Sequence, residues 1–473
     1  MRPAEIALCC LTLAASAALL AGLPFAWSVT VAFLAVLCIT NFIHSVGEGV
    51  HWQMAPLYLA VIIAGLSATW AAVHAPWNPP WIERLTLGAA ILFLSLMAVG
   101  LSCLLPMFRL PKPSGPHSVA TRILYMVDPK RDAEGGLRGN SKRELMVQVW
   151  YPAEPVKARR EVYRRFLETT LKSSYQSVLR TQSLREAPVL AVGAPYPLLI
   201  FNPAWTGQRT QSTFLMQDLA SHGFVVASVD HSYYSGLVAF PDGHVVDSHM
   251  APALGDFTHL TIEEGIDLAN QFVTILAEDV IFVLDELTRL NEKPESEWYG
   301  VIDGSCVGVL GHSIGGAVAA EACWLDPRIK CALNLDGWTF GEVLRHGLAK
   351  PWMVIYGKGI EVEPPNLEAQ PEGIQRYWQM NRLNYAVVAA ALRKNGGHCL
   401  SIKGASHWNF SDRPLYSPLR SQTQAGTIPP ERAHRIIAEL ARAFFDESLK
   451  GEGTGSVAEA ARPYPEVEIN STG

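Results

Sequence analysis

Charged residues are scarce in this chain of 473 residues, and the scarcity is concentrated at one end. They make up 17% of the sequence, against about 25% in ordinary soluble domains. Only five of the 82 charged residues precede residue 109. The net charge of -6 gives no positive field for a polyanion, which excludes nucleic-acid binding as the main function. The eight cysteines include no C-x-x-C pair, so we expect buried free thiols rather than zinc ligands or disulfides.

Long uncharged runs fill the first 108 residues. The 42 residues between Glu5 and Glu48 carry no charge, about twice the length needed to cross a bilayer once. Gly22-Leu23-Pro24 is the expected turn within that run, and the prolines and tryptophans of residues 75–81 indicate an interfacial connection. The sequence therefore predicts a transmembrane domain over residues 1–108 with about four helices, at residues 6–23, 27–43, 55–73 and 86–106.

An even number of spans places both ends of the domain on one side of the membrane. The first run could also be a cleaved signal peptide, but no clear A-x-A cleavage site precedes the next apolar run, and the residues that follow are again apolar, which favours a retained helix. We expect a multi-pass protein of a bacterial-type plasma membrane, with the following domain on the cytoplasmic side. The cationic residues that point to this side are Arg109, Lys112, Arg122, Lys130 and Arg131.

Three polar residues stand out at the end of the second predicted span. His44, Glu48 and His51 have the spacing of one helix face and could in principle hold a metal ion. Gly47 and Gly49 weaken a helix there, and polar residues at a membrane boundary are commonly solvated. A solvated boundary is the favoured interpretation, and no metal is expected.

From about residue 115 the sequence has the pattern of a mostly parallel sheet with helices on both faces, the α/β class. Leu145–Tyr151 alternates like a half-buried strand. The other predicted strands are Leu198–Phe201, Phe224–Val229, Val307–Leu310, Ala332–Leu335, Met353–Tyr356 and Cys399–Ile402, and the predicted helices are Gln211–His222, Ala277–Leu290 and Trp378–Lys394. We expect a catalytic domain over residues 115–448 and a disordered tail over 449–473, which is rich in Gly, Glu, Ser and Pro.

The strongest local motif follows the buried strand that ends at Leu310. It reads Gly311-His312-Ser313-Ile314-Gly315-Gly316 and precedes a helix of small residues. A strand that runs through a sharp turn into a helix exposes the serine hydroxyl, and the flanking glycines let strand and helix approach closely. The motif therefore predicts Ser313 as a catalytic nucleophile.

A serine nucleophile needs a histidine base and a carboxylate that orients the base. Downstream of Ser313, His407 lies in a polar turn after a predicted strand, whereas His346 and His398 are read as a surface residue and a strand residue. Asp336 ends a buried strand and is the favoured acid. Glu361 and Glu363, which follow the next strand, are alternative candidates for the acid, and the residues alone do not exclude them.

The negative charge that develops on the attacked carbonyl needs backbone N–H donors, each contributing about 3 kcal/mol. The residue after the nucleophile, Ile314, supplies one of them in this type of site. The other is expected from the loop after Leu198–Phe201, where Pro203 has no N–H. Trp205 and Ala204 are the candidate donors.

Taken together, these residues resemble the platelet-activating factor acetylhydrolase family of lipases, within the α/β-hydrolases. The motif around Ser313 is followed by Leu335-Asp336-Gly337-Trp338, and the Ser–Asp separation of 23 residues is the short one of that family. The segment from His407 to Asp412 is similar to the family's His-x-x-Phe-x-Asp block. The resemblance covers about residues 120–445 and favours Asp336 as the acid. Pro203-Ala204 stands where the family usually has His-Gly, which leaves Trp205 at the donor position.

The resemblance implies serine-dependent hydrolysis of carboxylic esters through an acyl-enzyme, without a metal or organic cofactor. Joined to the predicted membrane domain, it leads us to expect a membrane-anchored enzyme acting on short-acyl esters of lipids or phospholipids, similar to a 1-alkyl-2-acetylglycerophosphocholine esterase. One alternative is a broad carboxylesterase for small soluble esters. Another is an inactive membrane scaffold, which the presence of Ser313, Asp336 and His407 disfavours.

Overall fold

The computed structural model of the protein describes residues 1–23, 26–74, 79–133, 142–248, 260–358, 363–451 and 456–469. The chain divides into two compact units. The first contains Met1–Arg109, Val162–Arg180 and Leu415–Thr423. The second contains Leu110–Glu161, Thr181–Pro414 and Gln424–Gly473. Residues 162–180 and 415–423, predicted as part of the catalytic domain, group instead with the N-terminal helices.

Aromatic packing explains this regrouping. Within the first unit, the ring of Phe108 lies 5.2 Å from that of Tyr163 and 5.1 Å from that of Tyr416. The two tyrosine hydroxyls are 2.7 Å apart and share a hydrogen bond. The indole N–H of Trp52 also donates to the carbonyl of Lys172 at 3.1 Å. Such contacts join residues far apart in sequence, so local composition does not reveal them.

Four apolar helices make up most of the first unit, as predicted. Each is long and apolar enough, by length and composition, to cross a membrane. The fourth begins at Trp81, five residues earlier than predicted. Gly22 adopts a φ of +65° at the expected turn, whereas Pro24 and residues 75–78 lie outside the described residues. The helices are α1 (Pro3–Leu20), α2 (Trp27–Ile43), α3 (Ala55–Val73) and α4 (Trp81–Leu104).

A buried polar cluster lies where α1 begins and α2 ends, which corrects the expectation of solvated residues. His44 is fully buried and His51 is 5% exposed. Glu5 accepts hydrogen bonds from Arg2 at 2.6 Å and from His51 at 2.9 Å, while Nδ1 of His44 lies 3.1 Å from Glu48. Glu5, His44 and Glu48 are close enough to hold a metal ion, but the Arg2 guanidinium already supplies positive charge there. The cluster ties the first turn of α1 to the end of α2.

The second unit is built on a large, mostly parallel sheet. Eleven strands pair in the order β13-β12-β11-β10-β9-β5-β6-β2-β1-β4-β3 in the described part of the chain, and β7 and β8 form a separate hairpin. The strands are β1 (Ser118–Asp132), β2 (Lys142–Ala153), β3 (Arg160–Val162), β4 (Arg180–Arg185), β5 (Tyr196–Asn202), β6 (Val225–Asp230), β7 (Val238–Ala239), β8 (Val245–Val246), β9 (Ile302–His312), β10 (Ile329–Leu335), β11 (Trp352–Lys358), β12 (His398–Lys403) and β13 (Val467–Ile469).

Each of the seven predicted strands is present in this sheet. β2 is buried from Leu145 to Ala153 rather than half-buried, because both of its faces are covered. Leu145 packs in the main core, and Met146, on the other face, packs against Phe240. The sheet runs parallel from β6 through β5, β9, β10 and β11 to β12. The antiparallel neighbours β1, β2 and β13 lie outside this parallel block.

Helices cover both faces of the sheet. The remaining helices are α5 (Thr213–Ser221), α6 (Ile262–Glu292), α7 (Ile314–Leu325), α8 (Glu342–His346), α9 (Glu372–Asn395), α10 (Arg420–Thr423), α11 (Pro430–Phe445) and α12 (Val457–Ala461). Side chains on a strand alternate between the two faces, and Val307 and Val309 share one core with helices α6 and α7. Phe445 of α11 lies beside the intervening Gly308 on the opposite face.

The end of the chain corrects the prediction of a disordered tail over 449–473. α12 follows α11, and β13 then pairs antiparallel with β12, with Ile469 opposite Leu400. Val457 is fully buried, and Glu466 forms an ion pair with Arg432 at 3.0 Å. A composition rich in small and polar residues concealed these few anchoring side chains. Residues 452–455 and 470–473 lie outside the described residues.

Candidate active site

The residues predicted to carry the chemistry follow four parallel strands. The carboxyl ends of parallel strands meet at one edge of a sheet, where ligands of open α/β sheets bind. The loop that begins at Pro203 follows β5, Ser313 follows β9, Asp336 follows β10, and the loop of His407 follows β12. The fold therefore delivers all of these groups to the same edge.

Ser313 occupies a strained turn between β9 and α7. Its φ of 59° and ψ of -127° lie in a region that residues other than glycine rarely adopt. Its N–H donates to the carbonyl of Leu335 at 2.9 Å, which fixes the turn beside the end of β10. A side chain at Gly315 would collide with the carbonyls of Asn202 and Pro203. Glycine there allows the first turn of α7 to approach the end of β5.

Asp336 is held rigidly at the end of β10. Its N–H donates to the carbonyl of Ile355 at 2.8 Å, and its Oδ1 accepts from the N–H of Gly357 at 2.7 Å. The other carboxylate oxygen, Oδ2, lies 2.7 Å from Nδ1 of His407. The structure thus brings the favoured acid and the favoured base together, with the carboxylate oriented by the neighbouring strand β11.

His407 begins a short helical turn after β12. The side chain of Asn409 shapes this loop, because its Oδ1 accepts from the N–H of Ser406 at 2.9 Å and from that of Gly426 at 2.7 Å. Within the described residues, the hydroxyl of Ser313 makes no hydrogen bond to His407. Catalytic hydrogen bonds of this kind often form only in the substrate complex.

The rival acids and bases lie elsewhere. Glu363 forms an ion pair with Arg382 of α9, and Glu361 lies outside the described residues. His346 is exposed beside Glu342 on α8, with Nε2 3.3 Å from the carboxylate. His398, at the start of β12, lies 3.6 Å from Glu447. None of these described side chains contacts Asp336 or His407.

The two candidates for the second oxyanion donor lie in the same loop after β5. The N–H of Ala204 donates to Oε1 of Gln211 at 3.0 Å, so this amide is already engaged. Trp205 follows at the tip of the same loop and packs against Phe272 of α6, with ring centroids 6.5 Å apart. Ile314, the other predicted donor, is the first residue of α7, where the helix dipole favours negative charge.

A buried ionic network supports the start of this loop. Asp279 of α6 is fully buried and bonds Arg143 at 2.6 Å and Nδ1 of His231 at 2.9 Å. Nε2 of His231 lies 3.2 Å from the side-chain oxygen of Asn202, the last residue of β5. Burial alone would raise the pKa of Asp279, but the Arg143 guanidinium and the His231 hydrogen bond hold it well below its usual range. The ionised carboxylate thus anchors the end of β5.

Two further side chains near the site, His312 and Gln211, were not predicted from the sequence. His312 is fully buried immediately before Ser313, and Gln211 bonds it from 101 positions earlier in the chain. The position of His312 inside the nucleophile motif was a signal that could have drawn attention to it. No local signal marks Gln211, because its partners are distant in sequence.

Comparisons with known proteins agree on the chemistry. Residues 107–454 match the family model described as platelet-activating factor acetylhydrolase, isoform II. A probable 1-alkyl-2-acetylglycerophosphocholine esterase of Arthroderma benhamiae is 23% identical, over 76% of this chain and 93% of its own length. A platelet-activating factor acetylhydrolase of Cavia porcellus is also 23% identical, over 72% and 78%. A solved ferulic acid esterase from Streptomyces cinnamoneus is 27% identical with a TM-score of 0.60, and the match covers 77% of this chain and 99% of that one.

The names of these relatives, together with a fold similar to that of the solved ferulic acid esterase, define the protein as a carboxylic ester hydrolase. Because the family model covers most of the chain, the protein belongs to the platelet-activating factor acetylhydrolase, isoform II, family. The resemblance drawn from the sequence motifs is confirmed. The match begins at residue 107, after the four apolar helices.

Proposed function

We propose that the protein is a membrane-anchored serine hydrolase of the α/β-hydrolase fold, with Ser313 as nucleophile, His407 as base and Asp336 as the orienting acid. The observation that carries the proposal is the 2.7 Å contact between His407 and Asp336, at the sheet edge where the strained turn presents Ser313. An orienting acid bonded to Nδ1 leaves Nε2 of the imidazole to accept the proton of the serine.

The proposed reaction proceeds in two half-reactions. Nε2 of His407 takes the hydroxyl proton as Oγ of Ser313 bonds to the ester carbonyl carbon, and the N–H groups of Ile314 and Trp205 stabilise the oxyanion. His407 then gives the proton to the leaving alcohol as the C–O bond breaks and an acyl-enzyme forms. Water, deprotonated by His407, then attacks the acyl carbon. The bond between this carbon and Oγ of Ser313 breaks, His407 returns the proton to Oγ, and the carboxylic acid leaves.

The proposed substrates are short-acyl esters of lipids or phospholipids, of the kind cleaved by 1-alkyl-2-acetylglycerophosphocholine esterases. The names of the relatives support this choice. A broader carboxylesterase is the second candidate, because the similar solved structure is named a ferulic acid esterase and not a phospholipid hydrolase.

The proposed anchor consists of the four apolar helices. Their outward side chains include Phe42, Leu66 and Phe93, each about two-thirds exposed. Exposed apolar side chains in such numbers are unfavourable in water and favourable in lipid. The cytoplasmic position of the catalytic domain stays a prediction from the cationic residues after α4.

A substrate panel tests the proposal and separates its two versions. Detergent-solubilised full chain is assayed on 1-alkyl-2-acetylglycerophosphocholine, on its long-acyl counterpart and on 4-nitrophenyl acetate, each beside Ser313→Ala. We expect turnover of the acetyl phospholipid and its loss in the variant. Turnover of nitrophenyl acetate alone would favour the broad carboxylesterase. Equal turnover by Ser313→Ala would refute the serine mechanism.

A further inference from the structure

A continuous chain of hydrogen bonds joins three parts of the site through two buried side chains. The N–H of Ala204 donates to Oε1 of Gln211 at 3.0 Å. Nε2 of Gln211 lies 2.7 Å from Nδ1 of His312, and Nε2 of His312 lies 2.8 Å from the carbonyl oxygen of His407. The chain thus runs from the oxyanion loop, past the nucleophile turn, to the backbone of the proposed base.

The chemistry of its two ends fixes the direction of every bond. The N–H of Ala204 can only donate, so Gln211 must present its oxygen to that amide and its NH₂ to His312. The carbonyl of His407 can only accept, so His312 must carry its proton on Nε2. Burial, followed by the proximity of His407, lowers the pKa of His312 well below its usual value. His312 is therefore neutral, with one donor and one acceptor, and both are used.

Three further contacts tie the segment of Gln211 and the ring of His312 to the loop of His407. The backbone carbonyl of Gln211 accepts from the N–H of Asp412 at 2.8 Å. The carboxylate of Asp412 in turn accepts from the N–H of Thr213 at 2.8 Å, at the start of α5. The imidazole rings of His312 and His407 lie with their centroids 4.6 Å apart. The base loop is consequently held by Gln211 and His312 at its first residue and again five residues later.

We propose that Gln211 and His312 are positioning residues that hold the oxyanion loop and the His407 loop in register around Ser313. The inference rests on the proposed serine mechanism. Both side chains act through backbone groups: the two ends of the bonded chain are the amide of Ala204 and the carbonyl of His407. A displacement of about 1 Å in a reacting group can lower the rate about 100-fold, so the role concerns turnover more than substrate affinity.

If Gln211 and His312 were needed only for stability, replacing them would lower the melting temperature but not kcat. Two other buried residues serve as matched controls for this effect. Gln217 is a fully buried glutamine whose Oε1 accepts from the N–H of Gln182 at 2.7 Å. His434 is a buried histidine whose Nε2 donates to the carbonyl of Ser411 at 2.9 Å. Both are comparable in burial and each makes a hydrogen bond to the backbone, but neither belongs to the chain of bonds that ends at His407.

The experiment compares full-length variants in detergent, with 4-nitrophenyl acetate as substrate and a fluorophosphonate as active-site probe. We expect Gln211→Leu and His312→Leu to lower kcat at least about tenfold while KM changes less than about threefold. The rate of fluorophosphonate labelling should fall in parallel. His312→Gln, whose amide can still donate to the carbonyl of His407, should recover part of the loss. Gln217→Leu and His434→Leu should lower the melting temperature but keep kcat within about twofold.

Gln211→Glu provides a second route if the leucine variants fail to fold. It preserves shape and the acceptor for Ala204 but removes the donor toward His312, so kcat should again fall. The proposal is overturned if folded Gln211 and His312 variants keep wild-type kcat, or if the control variants lose as much. Failure of the serine mechanism itself would show separately, as an inactive wild-type chain or an active Ser313→Ala variant.

Discussion

Nδ1 of His407 lies 2.7 Å from Oδ2 of Asp336, although 71 residues separate them in the chain. The second carboxylate oxygen is bonded by the N–H of Gly357, and the backbone N–H of Asp336 by the carbonyl of Ile355. Strand β11 thus fixes the carboxylate on the side away from the imidazole. A carboxylate fixed in this way can hold one tautomer of the base and stabilise its protonated form.

The acid assignment is tested by removing each candidate carboxylate in turn. Asp336→Asn should lower kcat by about 10⁴-fold, because the amide favours the wrong tautomer of His407. Glu363→Gln should lose little, since Glu363 pairs with Arg382 instead. Glu361→Ala is likewise expected to keep most of the activity. An inactive Glu361 or Glu363 variant beside an active Asp336→Asn would reverse the assignment.

The nucleophile turn is tested by adding one methyl group. At Gly315, a Cβ would collide with the backbone carbonyls of Asn202 and Pro203. Gly315→Ala should therefore push α7 away from β5, lower the melting temperature and reduce kcat by about 100-fold or more. Gly304→Ala is the matched control, because nothing lies within 4 Å of its Cβ position. Comparable kcat in the two variants would show that this close approach is unnecessary.

Buried neutral histidines should make stability fall in mild acid. Burial lowers the pKa of His434 from 6.5 to about 4 and that of His312 well below 6.5. Between about pH 6.5 and 4 the unfolded chain binds protons that the folded chain does not. The free energy of unfolding should therefore decrease as pH falls, by up to about 1.4 kcal/mol per pH unit for each histidine.

Denaturant unfolding of the full chain in detergent from pH 7.5 to 4.5 measures how the free energy of unfolding depends on pH. The slope should correspond to the uptake of about one proton per buried histidine on unfolding. His434→Gln keeps a donor for the carbonyl of Ser411 but cannot titrate. Its slope should be smaller than that of the wild type by about one proton. A slope that does not change in the variant would show that His434 is not held neutral in the folded protein.

The membrane anchor is tested on an outward-facing ring of α4. Phe93 is 65% exposed, so Phe93→Asp breaks no buried contact. At the centre of a membrane helix an aspartate costs about 3 kcal/mol, and we expect less protein in the membrane pellet after alkaline carbonate extraction. Tyr299→Asp, at a residue 58% exposed in the second unit, is the control and should be retained normally. Release of the wild-type chain by carbonate would contradict the anchor.

The sequence was most informative where hydrophobic runs and chemical motifs coincide. Runs such as Val307–Leu310 are buried on both faces of the sheet, so their periodicity and position predict a central strand. The motif around Ser313 predicts the local backbone conformation, because only glycine fits without a collision at positions 311 and 315. These features depend on local chemistry and are therefore readable from local sequence.

Features that depend on contacts between residues far apart in the chain could not be predicted from local sequence. The segment of Tyr163 groups with the helices because of Phe108 and Tyr416. The tail is ordered by a few side chains such as Val457, within a composition typical of disorder. Gln211 bonds His312 across 101 residues, and neither its type nor its neighbours mark it as part of a site. In each case the deciding interaction joins segments whose proximity exists only in the folded chain.

Fluorophosphonate labelling followed by peptide mapping tests the central claim most directly. The probe bonds covalently to an activated serine and leaves ordinary hydroxyls unmodified. We predict one adduct, on the peptide that contains Ser313, absent from Ser313→Ala and retained in Ser401→Ala, where the replaced serine is buried in β12. A folded wild-type chain that takes up no probe, or carries it on another serine, would contradict the proposed nucleophile.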